Sequence, residues 1–320
     1  MREEVAWPQK APDSVNDRGS CELPVSVVQP PDRTLESLLD GHFDGRPGLT
    51  RELPLLVGGD PRSRCLVMRQ DDACVAHAAW RRLDLIVHDE TVTAAGIGLV
   101  TTHTAMRGRG LATRLVEACV EEARRAGAVV ALLFGAERRL YTRLGFVPAG
   151  RERVTLLRAV PNALDRSSQL RAGGVGDARV LLACLHRQPL RVERSLAEME
   201  VLLRIPDMRV HVLEVHGQAR AYCIEGKGRD LGGVVHEWAG EPELVSQMLG
   251  AVAATETTPL YALSPDALPP PAPGEHQLGH LALMRVLDPD AVGSPDATRV
   301  FGSPSHPAER PVYVWGLDSV

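Results

Sequence analysis

Lysine is almost missing from this chain. Lys10 and Lys227 alone interrupt an otherwise all-arginine set of positive charges, which reads as a composition bias of the coding genome and not as a function. The six cysteines (Cys21, Cys65, Cys74, Cys119, Cys184, Cys223) are scattered and form no C-x-x-C pair, which argues against a structural zinc site or a dense disulfide framework. The opening "MREEVAWPQKAPDS" has no apolar core of a secretion signal, and no run approaches the ~20 apolar residues of a membrane helix. No Gly-Lys-Ser/Thr follows any glycine turn, so a Walker loop is excluded. A net charge of -5 argues against a broad electrostatic footprint for nucleic acid. What remains is a globular composition, 44% hydrophobic over 320 residues, enough for two domains. The expectation is a soluble, cytoplasmic protein with no metal and no nucleic-acid or membrane partner.

The pattern divides the chain. Residues 1–33 are polar and proline-rich and are expected to be a loose tail. "RTLESLLDGHF" (33–43) reads as a helix. "SRCLVMRQ" and "CVAHAAWRRLDLIV" flank the turn "DDA", and after "HDE" the segment 91–103 reads as a further strand, so an antiparallel meander comes first. From Leu111 the period becomes helical: Leu111, Leu115, Cys119, Ala123 and Ala126 make one stripe. "AVVALLF" (128–134) is a short buried strand. A second unit from Val154 repeats the order helix, hairpin, strand, helix, strand, with its hairpin turning at His216-Gly217. The proline-rich "LPPPAPGEHQ" closes it, and the tail ends in a strand-like "PVYVWGL". The implied division is a tail (1–33), a first unit (34–153), a second (154–290) and an extension (291–320).

Between strand and helix stands "MRGRGLATRL", residues 106–115. A glycine turn opening a helix is an anion site: the first N–H groups are unpaired, the macrodipole is positive there, and Gly108 and Gly110 leave the approach unobstructed. A plain surface turn remains open. A dinucleotide fingerprint fits poorly, because antiparallel strands precede the turn and no acid follows about 20 residues on. An RNA-binding arginine-glycine segment would need repeats and a basic chain.

The stretch "VTTHTAMRGRGLATRLVEACVEEARRAG", with Arg107-Gly108-Arg109-Gly110-Leu111-Ala112, resembles the acetyl-CoA motif of the GNAT superfamily of N-acetyltransferases. "LYTRLGFVP" resembles that family's second signature, a tyrosine four residues before Gly-Phe, and "LLFGAERRLYTRLGFVPA" is similar to the active-site segment of the Eis-like branch, which has tandem GNAT-type domains. The resemblance covers residues 50–150 well and 151–290 in element order only. It implies an α+β fold: two tandem GNAT-like domains, each a mostly antiparallel mixed sheet flanked by helices. About 30 residues follow the second unit, so the branch's third domain is expected to be absent or reduced to a strand.

The resemblance also implies roles. Val100, Thr101 and Thr102 would offer backbone groups to the pantetheine arm and thioester. Arg107, Gly108, Arg109, Gly110, Leu111, Ala112 and Thr113 would hold the pyrophosphate, with further contacts at Ala136 and Glu137. Tyr141 is the candidate general acid, able to reprotonate a thiolate of pKa near ~8.5; the competing reading is a core tyrosine beside Phe146. An acceptor amine of pKa ~10.4 must lose a proton, and the branch's use of its C-terminal carboxylate points to Val320, with His103 a weaker candidate. His276 and His280 have i,i+4 spacing but lack the glutamate of a metal helix. The second unit's counterpart turn is "AGEPELVSQM", where Pro242 lacks an N–H and Glu241 and Glu243 repel phosphate, so that half is expected to shape the acceptor site instead. The expected function is acetyl transfer from acetyl-CoA to a small-molecule or protein amine, by direct attack in a ternary complex; a homo-oligomer is possible. The alternative is a non-catalytic CoA-binding or regulatory protein.

Overall fold

The computed structural model describes residues 23–42, 48–87, 90–135, 137–161, 163–228, 231–290 and 312–318. The first part of the chain runs β1 (Val25–Val28), α1 (Arg33–His42), α2 (Leu49–Glu52), α3 (Pro54–Val57), β2 (Ser63–Gln70), β3 (Ala73–Val87), β4 (Glu90–Thr102), α4 (Leu111–Arg125), β5 (Val130–Leu133), α5 (Arg138–Arg143) and β6 (Val147–Leu156). The second runs β7 (Ser168–Ala172), α6 (Ala178–Leu185), β8 (Leu190–Val192), α7 (Leu196–Leu202), β9 (Arg209–Val215), β10 (Gln218–Glu225), β11 (Val234–Gly240), α8 (Pro242–Thr255), β12 (Tyr261–Pro265) and β13 (His276–Val286).

Local chemistry accounts for these elements. The carboxylate of Asp32 accepts the N–H groups of Thr34 and Leu35, each at 3.0 Å, and so starts α1, as an N-cap does. Ser195 and Glu198 form a reciprocal capping box on α7. Asp71-Asp72 and His216-Gly217 take positive φ at the tips of β2–β3 and β9–β10, the backbone twist that tight hairpins need. The apolar stripe of α4 buries Leu111, Leu115, Val116, Cys119, Val120 and Ala123.

Among the described residues the strands form one mixed sheet in the order β1-β2-β3-β4-β5-β13-β6-β12-β11-β10-β9-β7, with β8 on the far end of β3. Most neighbours are antiparallel. The pairs β4–β5 and β11–β12 are parallel, and each is bridged by one long helix, α4 or α8. This repeats one arrangement in both halves. The late strand β13 lies between β5 and β6, while β6 also pairs with β12, so the halves share one sheet. β6 runs without a break across residue 153.

Three local expectations change. β1 lies in the stretch expected to be a loose tail, where it pairs with β2. His276 and His280 stand on a strand, so their spacing is not that of a helix. "PVYVWGL" is not a strand: Val312–Trp315 carry no ladder, and Gly316–Asp318 form a 3-10 turn.

That last segment is nonetheless deep in the molecule. Val312, Tyr313, Val314 and Trp315 are buried in a core that also contains Trp238 and the inner residues of α8. Trp315 meets Trp238 and Tyr313 edge to face at 5.2 and 4.9 Å and donates its indole N–H to Leu190 O at 2.9 Å. Beside it the buried Arg194 guanidinium binds both Asp318 and Glu237, and Tyr222 donates to Glu237 at 2.8 Å. Desolvation disfavours such charges, and only mutual pairing makes their burial tolerable.

Candidate active site

The parallel ladder between β4 and β5 ends at the pair Ile97–Leu133. Beyond it the edge of β4 from Gly98 to Thr102 has no strand beside it among the described residues. On its other edge the register with β3 slips between His77 and Ala79, and Leu99 adopts φ 52°. This is a β-bulge, a device that bends a strand and turns it away from a neighbour. Buried His77 holds it in place: Nδ1 lies 2.9 Å from Leu99 O. Burial lowers the imidazole pKa to about 4, so the ring is neutral and its Nδ1–H donates to that carbonyl. Thr101 stands opposite His77 in the ladder, and its buried hydroxyl has no partner among the described residues.

The chain then turns through His103–Gly110 into α4. His103 accepts the N–H of Ala105, so it caps the small turn Thr104–Met106. Gly108 and Gly110 have φ 77° and 76°, and a side chain at either would meet nothing within 4 Å. Their identity answers the left-handed backbone, and the space in front of them is open. Arg114 is the first residue of α4 to bond back, to Gly110 O, so the N–H groups of Leu111, Ala112 and Thr113 precede the helical ladder. No acidic side chain occupies this first turn. The cradle therefore fits a diphosphate. Arg107 turns toward Thr102 O and His42, each at 3.4 Å, and so ties the loop to β4 and α1. Arg109 is exposed.

β5 leads on the other side to Gly135 and α5. Tyr141 is nearly buried and meets Phe146 edge to face at 6.2 Å. Burial raises its phenol above the ordinary value, and Glu137 adds to the shift. Gly135 is packed against the ring: a Cβ there would lie 2.5 Å from Tyr141 Cε2. Glu137 is the exposed residue that precedes α5. Ala136 and Val320 lie outside the described residues.

The edge of β4 and the segment from Leu133 to Tyr141 line one cleft of about 570 Å³, whereas Thr101, Thr102 and the turn over residues 107–113 are not among its lining residues. Ile97–Val100 form one wall, and Leu133, Gly135, Glu137 and Tyr141 another. The structure thus brings Val100, Glu137 and Tyr141 together. The remaining wall was not indicated by the sequence: Glu52, Glu152, Lys227, Val314 and Gly316. Lys227 donates to Gly316 O at 2.9 Å, and burial lowers its amine to a pKa of about 8. The C-terminal segment therefore reaches the cleft that contains Tyr141, through Val314 and Gly316.

The second half offers a contrast at the same place in its fold. α8 begins with Pro242, and Glu241 before it pairs with Arg220. Glu241 makes no side-chain bond to the first turn of α8, and Pro242 takes one N–H group from it. No three His, Cys, Asp or Glu side chains converge as a metal site among the described residues, and no described helix is long and apolar enough to cross a membrane.

Residues 50–149 match the family described as acetyltransferase (GNAT) domain. No curated protein matches the chain in sequence. Solved structures share its fold at low identity. A conserved protein of unknown function from Enterococcus faecalis V583 superposes with a TM-score of 0.67 at 12% identity, covering 84% of this chain and 74% of that one. A GCN5-related N-acetyltransferase from Kribbella flavida gives 0.62 at 18% identity, over 83% and 72%. Eis1 from Mycobacterium abscessus gives 0.57 at 16%, over 84% and 75%. The splayed strand, the glycine turn and the family match agree: residues 50–149 of this chain are a GNAT acetyltransferase domain.

Proposed function

We propose that the protein transfers an acetyl group from acetyl-CoA to an amine by direct attack within a ternary complex. One observation carries the reading: the edge of β4 and Tyr141 line one cleft, and β4 runs on into the glycine turn that opens α4. The N–H groups of Leu111–Thr113 and the two glycines bind the CoA diphosphate at a positive helix terminus. The free edge at Val100 and Thr101 positions the pantetheine arm and offers a backbone donor to the thioester oxygen, where negative charge develops. Tyr141 keeps its proton because burial raises its pKa, and gives it to the departing thiolate. The second half, whose matching turn carries Glu241, Pro242 and Glu243, forms the acceptor side. The acceptor is a small-molecule or protein amine, and the reaction belongs to the cytoplasm.

Thiol release from acetyl-CoA, measured against a panel of amines, tests this. Turnover that falls at least 10-fold in Tyr141→Phe, with CoA affinity retained, supports it. CoA binding with no turnover by any amine overturns it in favour of a regulatory CoA-binding protein. Absence of CoA binding overturns the cradle itself.

A further inference from the structure

We propose that Glu152 is the general base: its carboxylate receives the acceptor's ammonium in the cleft and takes its proton. The inference rests on the acetyl-transfer reading above, and it identifies the one group that reading leaves unnamed. An alkylammonium cannot attack a thioester until it loses a proton.

Three observations single out Glu152 among the carboxylates of the cleft. The first is its mounting. Glu152 stands in the middle of β6, opposite Gly279 of β13 on one side and Pro265 of β12 on the other, so its Cα is held by paired strands on both edges. Glu137 is an exposed residue before a six-residue helix, and Glu52 ends a four-residue helix. A base must sit within hydrogen-bond reach of the proton it takes, and a rigid strand secures that better than a short helix. The second is its orientation. Buried Tyr313 donates its hydroxyl to Oε1 at 3.0 Å, and Oε2 has no partner among the described residues. The third is the space beside it: Gly279 directly opposite places no side chain on that face of the sheet.

Its electrostatic surroundings suit the task. Burial raises the carboxyl above its ordinary value, and the Tyr313 hydrogen bond opposes this in part. Tyr313, Tyr141, Glu137, Lys227, Glu52 and His42 are the titratable groups that share the cleft core with it. Arg151 and Arg153 alternate to the other face of β6, where both pair with Asp266. They do not neutralise Glu152.

The proton balance closes. Glu152 Oε2 takes one proton from the ammonium. The freed nitrogen lone pair forms the C–N bond as the C–S bond breaks. Tyr141 protonates the departing sulfur and recovers its proton from the second N–H of the attacking nitrogen. Glu152 returns its proton to solvent. One ammonium and one thioester give one amide, one thiol and one proton.

The test is the pH dependence of kcat/KM with the amine that turns over fastest, using the full chain. Glu152→Gln is expected to lower kcat/KM at least 100-fold at neutral pH and to abolish the acid limb, with CoA affinity within twofold of wild type. Glu152→Asp is expected to restore part of the rate and the limb. Tyr313→Phe removes the group that lowers the Glu152 pKa, so its acid limb is expected to move to higher pH, and this holds even where Glu152→Gln fails to fold. A wild-type protein that acetylates no amine overturns the acetyl-transfer reading and the base with it. Wild-type turnover that Glu152→Gln leaves intact, or an acid limb lost on removing residues 319–320 and not on altering Glu152, overturns the base alone.

Discussion

Replacing Gly135 by alanine separates a catalytic Tyr141 from a merely packed one. The added methyl would lie 2.5 Å from Tyr141 Cε2 and 3.2 Å from its hydroxyl. Carbon atoms rest at about 3.5–4.0 Å, so the ring must retreat by about 1 Å. Fully buried Phe146 meets the same ring edge to face at 6.2 Å, so the shift takes place in a packed surrounding. Overpacking of this kind costs about 1–3 kcal/mol of stability, which leaves most domains folded. The rate is the more sensitive quantity, since a displacement of about 1 Å in a reacting group can cost ~100-fold. The expectation is therefore a Gly135→Ala protein that folds, binds CoA as before through the turn at Gly108–Thr113, which does not line that cleft, and loses 10- to 100-fold in kcat, order-of-magnitude figures on that same basis. Stopped-flow or coupled thiol release gives kcat, and calorimetry gives the CoA affinity. The decisive comparison is the double variant with Tyr141→Phe. If Gly135→Ala acts through the hydroxyl, the double variant is no slower than Tyr141→Phe alone, because coupled sites are not additive. Multiplicative losses, or a wild-type kcat in Gly135→Ala, would refute the reasoning.

Other substitutions test other links. Gly110→Asp places a carboxylate at the positive end of α4 on a backbone of φ 76°; CoA affinity measured by calorimetry should fall at least 10-fold, and an unchanged value would sink the diphosphate cradle. Trp315→Ala removes a fully buried indole and leaves Leu190 O without its donor; urea unfolding should show a loss of about 3–5 kcal/mol, and a loss below about 1 kcal/mol would mean the C-terminal segment is not part of the core. His77 titrates at about 4 when folded, below the ordinary 6.5. The stability it contributes is complete above about pH 6.5 and declines as pH falls through 4, by about 3 kcal/mol in all. The stability gap between wild type and His77→Gln should shrink over that window, and a constant gap would show that His77 does not titrate with folding.

The elements that sequence made legible are those whose cause is local. The stripe Leu111, Leu115, Cys119, Ala123 needs only its own period to declare α4, and Asp71-Asp72 or His216-Gly217 needs only a turn. The glycine cradle and Tyr141 belong to this class, because a helix terminus and the tyrosine beyond the next strand are set by short-range spacing. The rest was hidden for a physical reason. β13 enters between β5 and β6 by pairing Val286 with Val130, and no period within a segment names a partner so far along the chain. The bulge at Leu99 carries no glycine to mark its positive φ. Its cause is the distant imidazole of His77. "PVYVWGL" misled in the opposite sense: its alternation suggests a half-buried strand, whereas Val312–Trp315 are buried on every side and gain their stability from side-chain packing and not from a ladder.

Glu152 and the C-terminal segment show why the wall they share was the least legible part of the cleft. In "AGRERV" the glutamate lies between two arginines and reads as surface charge. Only strand alternation separates them, sending Arg151 and Arg153 to Asp266 and Glu152 to the face where Tyr313 waits. The splayed strand and the glycine turn belong to one continuous stretch, β4 through α4, and a short motif can encode them. The wall with Glu152, Lys227, Val314 and Gly316 is built from β6, the loop after β10 and residues 312–318, in a sheet that the β6–β12 pair and the insertion of β13 make continuous across the halves. Both halves place a helix N-terminus after a strand, but α4 offers bare N–H groups behind two glycines, while α8 opens with Pro242 and a Glu241–Arg220 pair. An anion site needs unpaired N–H groups and no competing negative charge, and the α8 terminus has lost one N–H to Pro242 and carries Glu241 and Glu243 on either side of it.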